Sequence, residues 1–227
     1  MLYFIHGLNG YPSEWNSFID IFTSYGYSCQ AVDLQKGMKL KNTRFSDYIK
    51  KISSMVQKDD ILIGHSMGGL IVQKVAEQKR IKAGVCLCPA APQGIMINRL
   101  SILSQLRYIP NILAKIPFKP SFNIAYNIFL NNLSRDEAKK SYERMQKQSA
   151  IVTYEVFRSK IPVDETKITC PLFFIARKND KIIPLSAVKK IAEKYQASLK
   201  IYEGNHYIYP DAGQLSEEIY HFIKSVK

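Results

Sequence analysis

The sequence predicts an α/β protein: a near-minimal, mostly parallel sheet of about six strands, with helices on both faces and one helical insertion. Three observations carry this. Short, near-continuous apolar runs alternate with amphipathic helical stretches over residues 1–92 and again over 168–227, the pattern of a parallel sheet buried on both faces. One such run, Ile61-Leu62-Ile63, leads through Gly64-His65-Ser66-Met67-Gly68-Gly69 into Leu70-Ile71-Val72, a strand, a sharp turn and a helix. Between the two parts, residues 93–167 show helical periodicity and no strand.

Leu2 to Ile5 reads as a buried strand, followed by the Gly-rich loop His6-Gly7-Leu8-Asn9-Gly10. A helix opens at Ser13-Glu14-Trp15, with Trp15, Phe18, Ile19 and Phe22 on one face, and stops before Gly26. Cys29 to Leu34 is a second strand, and Phe45 to Val56 a helix carrying Tyr48, Ile49, Ile52 and Val56 at helical spacing. The Ser66 strand and helix come next, then a strand from Ala83 to Cys88 that ends at Pro89-Ala90-Ala91-Pro92.

In the insertion, Ile95 to Ile116 carries Leu100, Leu103, Leu106 and Ile109, broken by Pro110 and Pro117. Phe122 to Leu133 and Ile151 to Phe157 read as helices, and Ser134-Arg135-Asp136-Glu137 is a capping box opening another. The sheet resumes at Cys170-Pro171-Leu172-Phe173-Phe174-Ile175-Ala176. Pro184 to Tyr195 is a helix, Leu199 to Tyr202 a last strand and Leu215 to Val226 a last helix.

The 227 residues suffice for one sizeable core with an elaboration. The hydrophobic share of 46% is that of a globular chain, and no apolar run reaches the roughly 18 residues of a membrane span. The apolar start reads as a strand and not as a secretory signal. The four cysteines lack metal-ligand spacing and read as reduced, buried thiols, with Cys86 and Cys88 leaving one strand face. The expectation is therefore a cytoplasmic protein without stable membrane insertion, metal or cofactor. The net charge of +13 concentrates in the insertion, where Arg99 to Lys160 holds 11 basic against 4 acidic residues. No recognition module or aromatic-basic stripe accompanies it, so the charge reads as solvated surface and not as a nucleic-acid site.

Ser66 is the candidate nucleophile. Gly64 and Gly68 leave room for a turn too tight for a Cβ, and the following helix N-terminus favours developing negative charge. A serine hydroxyl needs a base, and the base an orienting carboxylate. Of four histidines, His6 and His65 lie in the Gly loop and the elbow, and His221 in the last helix. His206 follows the last strand in Gly204-Asn205-His206-Tyr207, on the edge where Ser66 emerges. Asp180, in Asn179-Asp180-Lys181-Ile182-Ile183-Pro184, also lies just past a strand. Asp33 is the alternative acid and Asp211 reads as the start of a helix.

Four motifs in order, His6-Gly7-x-x-Gly10 with Trp15, Gly64-His65-Ser66-Met67-Gly68-Gly69, Asn179-Asp180-x-x-x-Pro184 and Gly204-Asn205-His206, make the chain resemble the α/β-hydrolase superfamily. The resemblance is to its serine-nucleophile, esterase/lipase-like branch with a short helical lid. It spans nearly the whole chain and fades in the insertion. The sequence as it stands is expected to fold without the two antiparallel strands that usually precede the oxyanion loop.

The resemblance implies Ser66 as nucleophile, His206 as general base and acid, and Asp180 as its orienting carboxylate. The backbone N–H groups of Leu8 and Met67 would form the oxyanion hole. It implies hydrolysis of carboxylic esters of small-to-medium apolar acyl substrates. Thioester, lactone or C–C cleavage by the same residues, or ligand binding without turnover, are the alternatives. Residues 93–167 would be the lid, with Leu103, Phe122, Tyr126 and the core residue Tyr207 against the substrate. The oligomeric state is left open.

Overall fold

The computed structural model describes residues 1–97 and 108–226. Six strands, β1 (Leu2–Ile5), β2 (Cys29–Val32), β3 (Ile61–His65), β4 (Ala83–Leu87), β5 (Leu172–Arg177) and β6 (Ser198–Tyr202), form one sheet. Its order is β2-β1-β3-β4-β5-β6, and every neighbouring pair is parallel. Nine helices are described: α1 (Asn16–Ser24), α2 (Phe45–Met55), α3 (Met67–Gln78), α4 (Ile109–Leu113), α5 (Phe122–Ile128), α6 (Arg135–Arg144), α7 (Ala150–Phe157), α8 (Leu185–Lys194) and α9 (Ala212–Ser225).

Alternating strand residues feed two apolar cores. Tyr3, Ile5, Leu62, Cys86 and Phe174 pack with α2, α3 and α8 on one face. Leu2, Phe4, Ile63, Val85 and Ile175 pack with α1 and α9 on the other. Burying a side chain of this size contributes roughly 1.5–3 kcal/mol, so the alternation fixes which face each helix covers. Trp15, fully buried, joins the second core against Phe4, Phe18 and Tyr209.

Cys88 departs from expectation. The strand ends at Leu87, and Cys88 takes φ 45°, so alternation stops there. Cys86 points into the first core and Cys88 into the second, and the two thiols do not share a face.

The strand order reverses beside β1, where a ligand crevice opens at the carboxyl ends of an open α/β sheet. The loops after β1 and β3 flank that point. The insertion leaves after β4 and returns before β5, its two ends joined by Gln93 N–H donating to Ile161 O at 2.7 Å. Its described part is helical, as expected, apart from one antiparallel bridge between Phe118 and Gln148. The Ser134 capping box forms: its hydroxyl accepts from Glu137 N–H, and the Glu137 carboxylate accepts from Ser134 N–H. Among the described residues no helix is long and apolar enough to cross a membrane.

Candidate active site

Ser66 stands between β3 and α3 with φ 54° and ψ −118°. A non-glycine residue pays for such backbone only where its surroundings enforce it, at a cost of about 1–3 kcal/mol. The two glycines make the turn possible. A Cβ on Gly64 would overlap the Gly68 carbonyl, and one on Gly68 would overlap the Ile5 carbonyl. The turn is pinned by Ser66 N–H to Leu87 O at 2.9 Å and by Ala90 N–H to Ser66 O at 2.9 Å.

The oxyanion-loop candidate is ordered by His6. Its Nδ1 donates to Gly7 O at 2.8 Å and its Nε2 accepts from Leu34 N–H at 3.4 Å. A carbonyl can only accept, so the proton sits on Nδ1 and the ring is neutral; burial also lowers its pKa. Met67 N–H is the first of α3 and has no partner within the helix. Among the described residues, neither it nor Leu8 N–H donates to any acceptor, which leaves both available to an oxyanion.

His206 and Asp180 come together from the loops after β6 and β5. His206 Nδ1 lies 2.7 Å from Asp180 Oδ2. Asp180 Oδ1 accepts from the N–H groups of Ile182 and Ile183 at 2.8 and 2.9 Å. Both residues are buried. The carboxylate thus faces three donors, one being His206 Nδ1–H, and this leaves the Nε2 lone pair free to take a proton.

Asp33 is elsewhere: its Oδ1 accepts from Gln35 and Lys36 N–H in a turn after β2. Asp211 leads into α9, as expected, and its carboxylate also pairs with buried Arg177 at 2.6 Å. Arg177 further donates to Glu203 O, so it holds both ends of the loop that carries His206.

Ser66 and His206 share one cavity of about 690 Å³ of atom-free space, counting its open mouth. Leu8, Glu14 and Tyr207 line it from the sheet side, and Phe129, Met145 and Phe157 from the insertion. A second, apolar space of about 550 Å³ adjoins it, sharing Asn9, Phe129, Phe157 and Ile182. Asn9 ties the loop to the insertion. It takes φ 60°, its Nδ2 donates to Phe118 O at 3.1 Å and Gln146 O at 2.9 Å, and its carbonyl accepts Gln146 N–H at 2.9 Å.

Of the pocket residues expected from sequence, Tyr207 lines the first cavity and Leu103 lies outside the described residues. Phe122 and Tyr126 line neither cavity. They stack on each other, centroids 5.9 Å apart, beneath Arg135 and around a small core of Ala125, Leu130 and Ala138. The reason is helical phase: α5 turns Ile124, Ile128 and the following Phe129 toward the cavities, and positions 122 and 126 share another side.

Cys88 Sγ, an Asp180 oxygen and a His206 nitrogen lie within 4.8 Å of one another. A thiol ligates metal as thiolate. Burial first, and then the Asp180 charge, hold the Cys88 thiol well above its ordinary pKa. Two of the three are already bound to each other, His206 Nδ1 to Asp180 Oδ2 at 2.7 Å.

The profile of the family described as "Serine aminopeptidase, S33" matches residues 1–209. The chain belongs to this family of α/β hydrolases. No curated protein sequence matches it. An extracellular α/β-hydrolase from Paenibacillus superposes with a TM-score of 0.78 at 18% identity, covering 97% of both chains. A methylesterase from Arabidopsis gives 0.74 at 14%, covering 98% of both. A monoacylglycerol lipase from Paleococcus ferrophilus gives 0.70 at 18%, covering 100% of this chain and 94% of its own. At such identities the likeness is one of fold. The hydrolase is thus placed by family and fold, and its substrate rests on the site.

Proposed function

We propose that this hydrolase cleaves carboxylic esters of small-to-medium apolar acyl substrates by way of an acyl-enzyme. The observation that carries the reading is the His206–Asp180 pair at 2.7 Å, opening on the same cavity as a serine held at φ 54°. Ser66 Oγ attacks the carbonyl and His206 Nε2 takes its proton. His206 then protonates the leaving alcohol, and water, deprotonated by the same nitrogen, releases the acid. Leu8 and Met67 N–H stabilise the oxyanion, each by about 3–4 kcal/mol.

Residues 93–167 act as a lid in this reading. Phe129, Met145 and Phe157 supply an apolar wall opposite Ser66, and Asn9 clasps the oxyanion loop to them. The methylesterase and the monoacylglycerol lipase among the structural neighbours act on esters by name, which agrees with an ester substrate.

The test is Ser66→Ala assayed on short and medium aryl esters. The expected loss in kcat is about 10³-fold or more with the fold retained. Near-full activity in purified variant, free of contaminating esterase, would overturn the proposal.

A further inference from the structure

The residue before Ser66 reaches the backbone of His206. His65 ends β3 and is buried, and its ring lies beside that of His206, centroids 4.8 Å apart and planes 44° to each other. His65 Nε2 lies 2.9 Å from the backbone carbonyl oxygen of His206. Among the described residues, no other group donates to that carbonyl. On the other side of the ring, His65 Nδ1 lies 3.3 Å from the Tyr209 hydroxyl. Tyr209 is itself buried, edge-on to Trp15 with centroids 5.2 Å apart.

The His65 bond has a single direction. A carbonyl only accepts, so the His65 proton is on Nε2. A neutral ring then carries its lone pair on Nδ1, and the Tyr209 hydroxyl donates to it. Burial, and then the neighbouring His206, hold His65 well below the ordinary histidine range, which keeps the ring neutral. Burial raises Tyr209 well above its ordinary value, so its hydroxyl keeps its proton.

This bond joins two segments 141 residues apart. His65 shares the turn of Ser66, pinned by Leu87 O and Ala90 N–H. His206 lies between β6 and the 3-10 turn Tyr209–Asp211, in neither helix nor strand. Arg177 holds that stretch on either side, at Glu203 O and at the Asp211 carboxylate. Asp180 holds the imidazole at Nδ1 and fixes its rotation. Among the described residues, neither the Arg177 nor the Asp180 side chain is hydrogen-bonded to the turn that carries Ser66. His65 alone of the three ties the His206 main chain to that turn. A displacement of about 1 Å between reacting groups can cost about 10²-fold in rate.

We propose that His65 is a positioning residue: its Nε2–H holds the His206 main chain against the turn of Ser66, and so sets the span across which the proton passes from Ser66 Oγ to His206 Nε2. The inference rests on His206 being the base of the reaction.

The experiment compares steady-state kcat and KM on a short aryl ester for wild type, His65→Gln and His65→Met, with urea unfolding of each. Glutamine and methionine are alike in length and shape, and only glutamine offers an N–H near the place of Nε2. A ring that merely filled space would be missed equally in both. His65→Met should lower kcat by about 10- to 100-fold with KM within about twofold, and His65→Gln should recover kcat to about a third of wild type or more. In the wild-type protein, nitrogen NMR of labelled histidine should show His65 as the neutral Nε2–H tautomer at about pH 7, a reading that needs no variant to fold. Wild-type kcat in folded His65→Met, equal losses in the two variants, or a cationic or Nδ1–H His65 would overturn the proposal. Full activity in His206→Ala would sink the assignment of the base instead, and the NMR tautomer reads independently of it.

Discussion

Asp180→Asn tests the orientation of His206 with almost no change of shape. In the native site Oδ1 takes two backbone N–H groups at 2.8 and 2.9 Å, and Oδ2 takes His206 Nδ1–H at 2.7 Å. Asparagine has one oxygen and one NH₂. Two fixed N–H donors demand the oxygen on their side, so the NH₂ must face His206. The imidazole then meets a donor at Nδ1, keeps its proton on Nε2, and cannot accept one from Ser66. Loss of the correct tautomer in this arrangement costs about 10⁴ in kcat, or about 5 kcal/mol at 1.36 kcal/mol per decade.

The stability cost is smaller. Three charge-assisted bonds of about 1.5–3 kcal/mol become neutral ones near 1 kcal/mol, and the buried charge disappears with them, so a net loss of about 1–3 kcal/mol is expected. The assay is steady-state kcat and KM on a medium-chain aryl ester, with urea unfolding alongside. Asp33→Asn is the control. Its carboxylate only closes a turn by accepting Gln35 and Lys36 N–H, and kcat should stay within about twofold. Asp180→Asn keeping more than about a tenth of wild-type kcat would refute the assignment.

Other outcomes follow from the same geometry. Gly68→Ala places a Cβ against the Ile5 and His6 carbonyls; backbone cannot yield cheaply, so urea unfolding should show a loss of about 1–3 kcal/mol or more. Phe157→Ala, which opens the wall shared by both cavities, should move the acyl-length optimum upward with a change in kcat/KM ratio of about tenfold. Phe122→Ala should lower stability and leave that ratio alone, because Phe122 packs on Tyr126 and Tyr142. Glu14 also predicts a pH dependence of folding. Its native pKa of about 7 lies above the ordinary 4.5. Its contribution is therefore whole below the ordinary value and lost as pH rises through about 7, a difference of about 3 kcal/mol. The urea midpoint of Glu14→Gln should accordingly gain on wild type between about pH 4.5 and 7 and level off above.

What could be read from the sequence was whatever local chemistry forces. Gly64 and Gly68 flank Ser66 because no Cβ fits there, and apolar runs such as Leu2-Tyr3-Phe4-Ile5 have no place but a doubly covered sheet. The order of motifs put Ser66, Asp180 and His206 on one edge, since every strand of the sheet runs the same way. What escaped depends on contacts between distant segments. The clasp of Asn9 joins positions more than a hundred residues apart. The Arg177 fork onto Glu203 and Asp211 needs the β5–β6 pairing before it means anything. The phase of α5 decides whether Tyr126 or Ile128 meets the cavity, and periodicity alone gives both faces apolar residues. Glu14 is the sharpest case. Next to Trp15 it reads as the first turn of a helix, where acids are common. Only the fold brings it into the wall of the cavity that Ser66 and His206 share. Two kinds of constraint therefore act on the site. The strain at Ser66 is local and visible in five residues. The placement of His206 is collective, spread over Asp180, His65 and the Arg177 fork that holds its loop, and no short stretch of sequence announces it.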